Sequence, residues 1–112
     1  MIGSILGDIA GSVYEFRNIK TKEFPFLTPQ KGYTDDSILT LATADWLLHG
    51  GDCATYYFRY ATRYPCPLGG FGGRFREWLR QGQQTGQLRP YGSCGNGSAM
   101  RVGPVGCAFR TE

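Results

Sequence analysis

Apolar side chains recur along this chain at helical spacing, and no segment alternates as a strand would. From Ile2 to Tyr14 one stripe holds Ile2, Ile5, Leu6, Ile9 and Val13, and a second holds Gly3, Gly7, Ala10 and Gly11. The pattern predicts a helix ending at Glu15 that approaches a neighbour closely through its small residues. Each glycine in a helix interior costs about 1 kcal/mol, which such contact would offset. Residues 16–33 carry Pro25, Pro29 and Gly32 with no sustained period and are expected to be loop. Thr34, Asp35 and Asp36 then supply cap and first-turn chemistry for a helix with the face Ile38, Leu39, Leu41, Ala42, Trp46 and Leu47, closing at Gly50-Gly51. Asp52 caps a third helix that runs to Tyr64, before Pro65 and Pro67 break it. Beyond the glycine-rich residues 69–73, a fourth helix is expected from Arg74 to Gln81 with Phe75, Trp78 and Leu79 inward, followed by loop to Pro90. A last helix is expected from Asn96 through Met100 and Val102, disturbed at Pro104 and continuing toward Phe109. The predicted class is all-α, a bundle of crossing helices.

A length of 112 residues amounts to one domain or part of one. A hydrophobic content of 41% argues against disorder, and no apolar run approaches the ~20 residues of a membrane span. Charge divides the chain. Residues 1–52 hold four basic and seven acidic groups, net −3, whereas residues 53–112 hold eight and two, net +6. That split fits a cation site beside an anion site, and equally an unevenly charged solvated surface. Cys53, Cys66, Cys94 and Cys107 form no Cys-x-x-Cys pair and do not pair locally with the only histidine, His49, so a structural zinc site is not expected. His49, at a helix C-terminus, reads as structural. The N-terminal stretch lacks a basic leader and carries Asp8 among its apolar residues, which argues against a secretory signal. Buried free thiols and a reducing cytoplasmic location are the expectation.

Three stretches carry candidate chemistry. Asp35 and Asp36 are adjacent carboxylates at a helix start, flanked by Thr34 and Ser37, and hard cations such as Mg²⁺ or Mn²⁺ take such oxygen ligands. The helix N-terminus offers only about half a charge to offset their repulsion, so a metal would complete the compensation. In isolation, Thr-Asp-Asp-Ser is more often ordinary N-capping. Gly95-Asn96-Gly97-Ser98-Ala99-Met100-Arg101 places glycines around a capping Asn where a helix begins, an end suited to a phosphate or another polar group, or to a plain capped turn. Gly7 to Glu15 describes a glycine-rich helix ending in a carboxylate that could reach a metal or a water. The commonest nucleotide-binding and zinc-protease signatures are absent.

Taken in order, Gly7-Asp8-Ile9-Ala10-Gly11-Ser12-Val13-Tyr14-Glu15, Tyr33-Thr34-Asp35-Asp36-Ser37 and Gly95 to Arg101 with Pro104-Val105-Gly106 resemble the ADP-ribosylglycohydrolase family. The resemblance implies an orthogonal all-helical bundle and a metal-dependent hydrolase that cleaves the glycosidic bond between ADP-ribose and an acceptor. It implies that Thr34, Asp35 and Asp36 bind metal, that Glu15, Asp35 and Asp36 are catalytic, and that Gly95, Asn96, Gly97, Ser98, Ala99 and Met100 contact ribose and phosphates. The implied cofactor is Mg²⁺ or Mn²⁺, two ions in a complete member. The implied partner is an ADP-ribosylated protein or another ADP-ribose conjugate, held in part by the arginine-rich second half.

The departures from the family pattern are equally specific. Relatives carry a second metal motif of Asp-x-Asp-Thr/Ser type near the C-terminus, and no Asp-x-Asp occurs here. Cys94 stands where many relatives have a large aromatic. The apolar period is still running at Arg110-Thr111-Glu112. Residues 1–112 are therefore expected to be the N-terminal part of a single truncated helical domain, which could self-associate through an uncovered face. The alternative is a non-catalytic ADP-ribose-binding or structural remnant. Nucleic-acid binding through Arg59, Arg63, Arg74, Arg76 and Arg80 ranks below both, because the interleaved aromatics have helical core spacing.

Overall fold

The computed structural model describes residues 1–109. Among these residues the chain is all-helical: α1 (Ile2–Gly11), a 3-10 turn (Ser12–Tyr14), α2 (Asp35–His49), α3 (Cys53–Arg63), α4 (Gly73–Thr85), α5 (Gly97–Met100) and α6 (Gly103–Ala108). The expectation attached to residues 110–112 lies outside the described residues. No described helix is long and apolar enough to cross a membrane.

The predicted caps set the helix starts. The Thr34 hydroxyl accepts from the Asp36 amide at 3.2 Å, and the Asp52 carboxylate accepts from the Thr55 amide at 3.0 Å, each satisfying a donor that a first turn leaves open. α2 is the central element, packing on α1, α3, α5 and α6, while α4 packs on α3. Ile38 and Leu39 of α2, Ala61 of α3, Phe71, and Phe75 and Trp78 of α4 make the core. The aromatic run within it is continuous, with ring centroids 5.2 Å apart from Phe71 to Phe75 and again from Phe75 to Trp78. Asp45 joins α2 to α3 from outside by accepting from Arg59 and from the Tyr60 hydroxyl, and it also meets His49 at 2.8 Å.

Several local expectations are corrected. A side chain built on Gly3, Gly7 or Gly11 meets nothing within 4 Å, so the glycine stripe of α1 faces solvent. α1 is held instead by Ala10, which is buried, and by the polar contacts of Asp8. Close approach through a glycine occurs in α4, where a Cβ on Gly82 would lie 2.6 Å from Leu88 and 2.8 Å from Phe58. α4 also continues to Thr85, one turn beyond Gln81, and ends at Gly86, whose φ of +69° is readily adopted only by glycine. Leu41 is exposed, whereas the buried positions of α2 include Ser37, Thr40 and Thr43. The expected helix from Asn96 is two short helices, because Pro104 lacks an amide donor and its ring would clash with a preceding carbonyl. The four cysteines are free, but only Cys53 is partly buried and the other three are exposed.

The loop over residues 16–33 is tied down by Lys31. Its ammonium donates to the carbonyls of Ala10 and Pro25 at 2.7 Å each and of Phe26 at 3.4 Å, and it lies 4.6 Å from the centre of the Tyr14 ring. A cation at the last turn of α1 also complements the helix dipole. The radius of gyration, 15.0 Å, exceeds the about 13 Å of a compact chain near this length. The molecule is correspondingly flat, and Ile2, Leu27 and Leu48 remain exposed.

Candidate functional site

A cleft of about 650 Å³ brings the three sequence stretches together. Glu15 and Phe16 line it from the end of the 3-10 turn, Asp35 and Asp36 from the start of α2, and Gly95, Asn96, Gly97, Ser98, Met100 and Arg101 from α5 and its approach. Of the residues expected at the site, Ala99 does not line the cleft, and Thr34 lies buried behind it. The lining also takes in Gly69 to Phe75 and, from the loop after α4, Tyr91 and Ser93.

Asp8 organises the acidic end, a part that the motif pattern alone did not assign to it. Its carboxylate accepts from the Thr34 amide at 2.9 Å, from the Thr34 hydroxyl at 2.6 Å and from the Ser37 hydroxyl at 2.6 Å. One carboxylate of α1 thus fixes the first turn of α2 and the orientation of Asp35 and Asp36. The available signal was the presence of a carboxylate inside the apolar stretch of α1, where an unpaired charge is costly.

The cleft carboxylates lack sufficient positive charge around them. Burial, then the neighbouring charges of Asp35, Asp8 and Glu15, push Asp36 up to about 6, against the opposing pull of Arg101. Burial also raises Asp35, opposed by its own backbone amide and by Arg101, and reinforced by Asp8. Arg101 is placed for this by Tyr57, with its guanidinium carbon 4.6 Å from the ring centre.

At the α5 end, Asn96 occupies the N-cap position but makes no side-chain capping bond, contrary to the expected capping Asn. It faces the cleft among exposed glycines. Opposite, Gly69 and Gly70 have φ of +78° and +72°, the turn that brings the backbone past Glu15.

The donor set suits a hard divalent cation. Asp35 and Asp36 offer carboxylate oxygens, and the Thr34 hydroxyl, which donates to Asp8 and accepts from the Asp36 amide, keeps one lone pair. The crowded carboxylates create an electrostatic demand that a cation would meet. Among the described residues, no three His, Cys, Asp or Glu side chains converge enough to enclose a metal by themselves. Partial coordination of this kind fits Mg²⁺, which keeps several waters and takes one or two carboxylates.

The chain matches the family described as ADP-ribosylglycohydrolase over residues 1–112, its full length. It belongs to the ADP-ribosylglycohydrolase family. No curated protein and no solved structure matches it. ADP-ribosylglycohydrolases are hydrolases that act on ADP-ribose conjugates and are generally metal-dependent. Their all-helical architecture agrees with the fold described above.

Proposed function

We propose that this ADP-ribosylglycohydrolase hydrolyses the glycosidic bond that joins ADP-ribose to an acceptor, in a metal-dependent reaction in the cytoplasm. The observation that carries this reading is the convergence of Glu15, of Asp35 and Asp36, and of the Gly95–Arg101 stretch on one cleft. Thr34, Asp35 and Asp36 are the residues that would hold Mg²⁺ or Mn²⁺. When bound, the ion orients ribose hydroxyls and polarises water.

The chain's own groups account for the rest. With a cation held there, the crowding of Asp36 by Asp35, Asp8 and Glu15 would be relieved and its carboxylate kept ionised. Glu15 and Asp35 add negative charge beside an oxocarbenium-like transition state. Gly95, Asn96, Gly97, Ser98 and Met100 supply a polar and apolar wall for ribose and phosphate. Tyr91, packed 6.3 Å from Trp78 between ring centroids, offers a flat face for the base.

The reading is tested by incubating the purified chain with an ADP-ribosylated peptide and Mg²⁺ or Mn²⁺ and measuring free ADP-ribose. Metal-dependent release that disappears in Asp35→Ala and Asp36→Ala supports hydrolysis. A second reading, binding of ADP-ribose without turnover, is favoured by the lack of any Asp-x-Asp motif in this sequence. Binding of ADP-ribose with no release selects it, and failure of both binding and release overturns both.

A further inference from the structure

Two arginines line the cleft, and they are held differently. Arg101 lies over Tyr57, its guanidinium carbon 4.6 Å from the ring centre. Its Nε is buried without a hydrogen-bond partner, so it is poorly placed to offer a guanidinium fork to a ligand. Arg74, in the first turn of α4, is exposed. It uses Nη1 alone within the protein, donating to the Gly92 carbonyl at 3.0 Å and lying 3.7 Å from Cys94 Sγ. Among the described residues it has no carboxylate partner, and Nε and Nη2 have no protein acceptor. That edge of a guanidinium is the one that takes two oxygens of a phosphate side by side.

Among the described residues no other arginine lines the cleft. Arg59 pairs with Asp45 and Arg80 with Glu77, while Arg76 and Arg80 line a separate hollow beside Cys66 and Pro67. Gly92, with φ of +60°, makes the turn that presents its carbonyl to Arg74, so the side chain is tethered before any ligand arrives. The tether joins Arg74 to the loop that carries Tyr91 and Ser93 into the same cleft. The carboxylates, an available guanidinium and the Tyr91 ring therefore line one cleft, with the guanidinium tied to the loop that carries that ring. A ribose, a diphosphate and a base present groups complementary to these three.

We infer that Arg74 binds the diphosphate of ADP-ribose. This inference rests on the proposed function above. The test is calorimetric titration of the full chain, wild type, Arg74→Met and Arg74→Lys, with ADP-ribose, inorganic pyrophosphate and adenosine. Arg74→Met is expected to weaken ADP-ribose and pyrophosphate at least tenfold and leave adenosine unchanged. Arg74→Lys is expected to fall between, since it keeps the charge and loses the fork. Melting curves of both variants are expected to match wild type, because the side chain is exposed.

Equal affinity of wild type and Arg74→Met for both phosphate ligands overturns the inference and leaves the proposed function standing. Weakening of adenosine by the same factor overturns it as well, since the effect is then not on phosphate. Pyrophosphate binding that depends on Arg74, with no binding of ADP-ribose, supports an anion site at Arg74 while the proposed function fails. Binding of neither ligand by wild type overturns both.

Discussion

Asp8 and Thr34, 26 residues apart, are joined twice, through the Thr34 amide at 2.9 Å and the Thr34 hydroxyl at 2.6 Å. The residue that caps α2 is thereby oriented by α1, and the placement of Asp35 and Asp36 depends on a helix that does not supply them.

Asp8→Ala removes the acceptor for three donors and leaves the Thr34 hydroxyl, in a buried residue, without it. A loss of about 2–3 kcal/mol in stability is expected. Asp8→Asn, which retains one oxygen, is expected to lose less. Denaturant melts of the three proteins check this order, and Mg²⁺ affinity is expected to fall in the same order.

Asp36→Asn is expected to stabilise the metal-free protein and to abolish stabilisation by Mg²⁺. The substitution relieves a carboxylate crowded by Asp35, Asp8 and Glu15, and it removes a proposed ligand. Melting temperatures with EDTA and with excess Mg²⁺ separate the two effects. A variant less stable than wild type in EDTA would show that the carboxylate is not under electrostatic stress.

The pH dependence has a definite sign. Asp36 stands at about 6 in the folded protein against an ordinary 3.8, so the folded state holds this proton more tightly than the unfolded chain. Its contribution to stability is full below about pH 4 and is lost as pH rises through 6. In EDTA the denaturation midpoint is expected to be higher at pH 5 than at pH 7, and Asp36→Asn is expected to reduce that difference. An undiminished slope in Asp36→Asn assigns it to another group.

Two glycine substitutions should move stability in opposite directions. Gly82→Ala forces a Cβ to within 2.8 Å of the Phe58 ring and closer still to Leu88, and a loss of about 1–3 kcal/mol is expected. Gly7→Ala meets nothing within 4 Å on the exposed side of α1 and is expected to gain about 0.5–1 kcal/mol. Paired melts of the two variants measure both.

The helices were legible where local chemistry fixes them. Thr34 and Asp52 cap, glycines and prolines stop, and Phe75 and Trp78 turn inward at helical spacing. The carboxylates and the Gly95–Arg101 stretch were legible as motifs because their residue types are tied to a chemistry. What the local pattern could not give was pairing across distance. The contacts of Asp8 with Thr34 and Ser37 span the whole of residues 16–33, and how Arg74 and Arg101 are held is set only after folding. The glycine stripe of α1 was misleading for a related reason, since spacing identifies a face without saying whether anything packs on it. The break between α5 and α6 follows from Pro104, whose effect falls on the preceding turn.

Lys31 gathers three carbonyls onto the three hydrogens of one ammonium, closing the base of the segment that runs from Phe16 to its own position. The Gly32 amide, donating to Ser12 Oγ at 3.3 Å, and the Tyr14–Phe24 rings, 5.5 Å apart, hold the same segment to the end of α1. Its backbone amides are expected to exchange with solvent as one cooperative unit, ahead of global unfolding. Phe16, which is 80% exposed at the lip of the cleft, lies at the near end of this segment, so whatever holds the segment also holds one wall of the cleft.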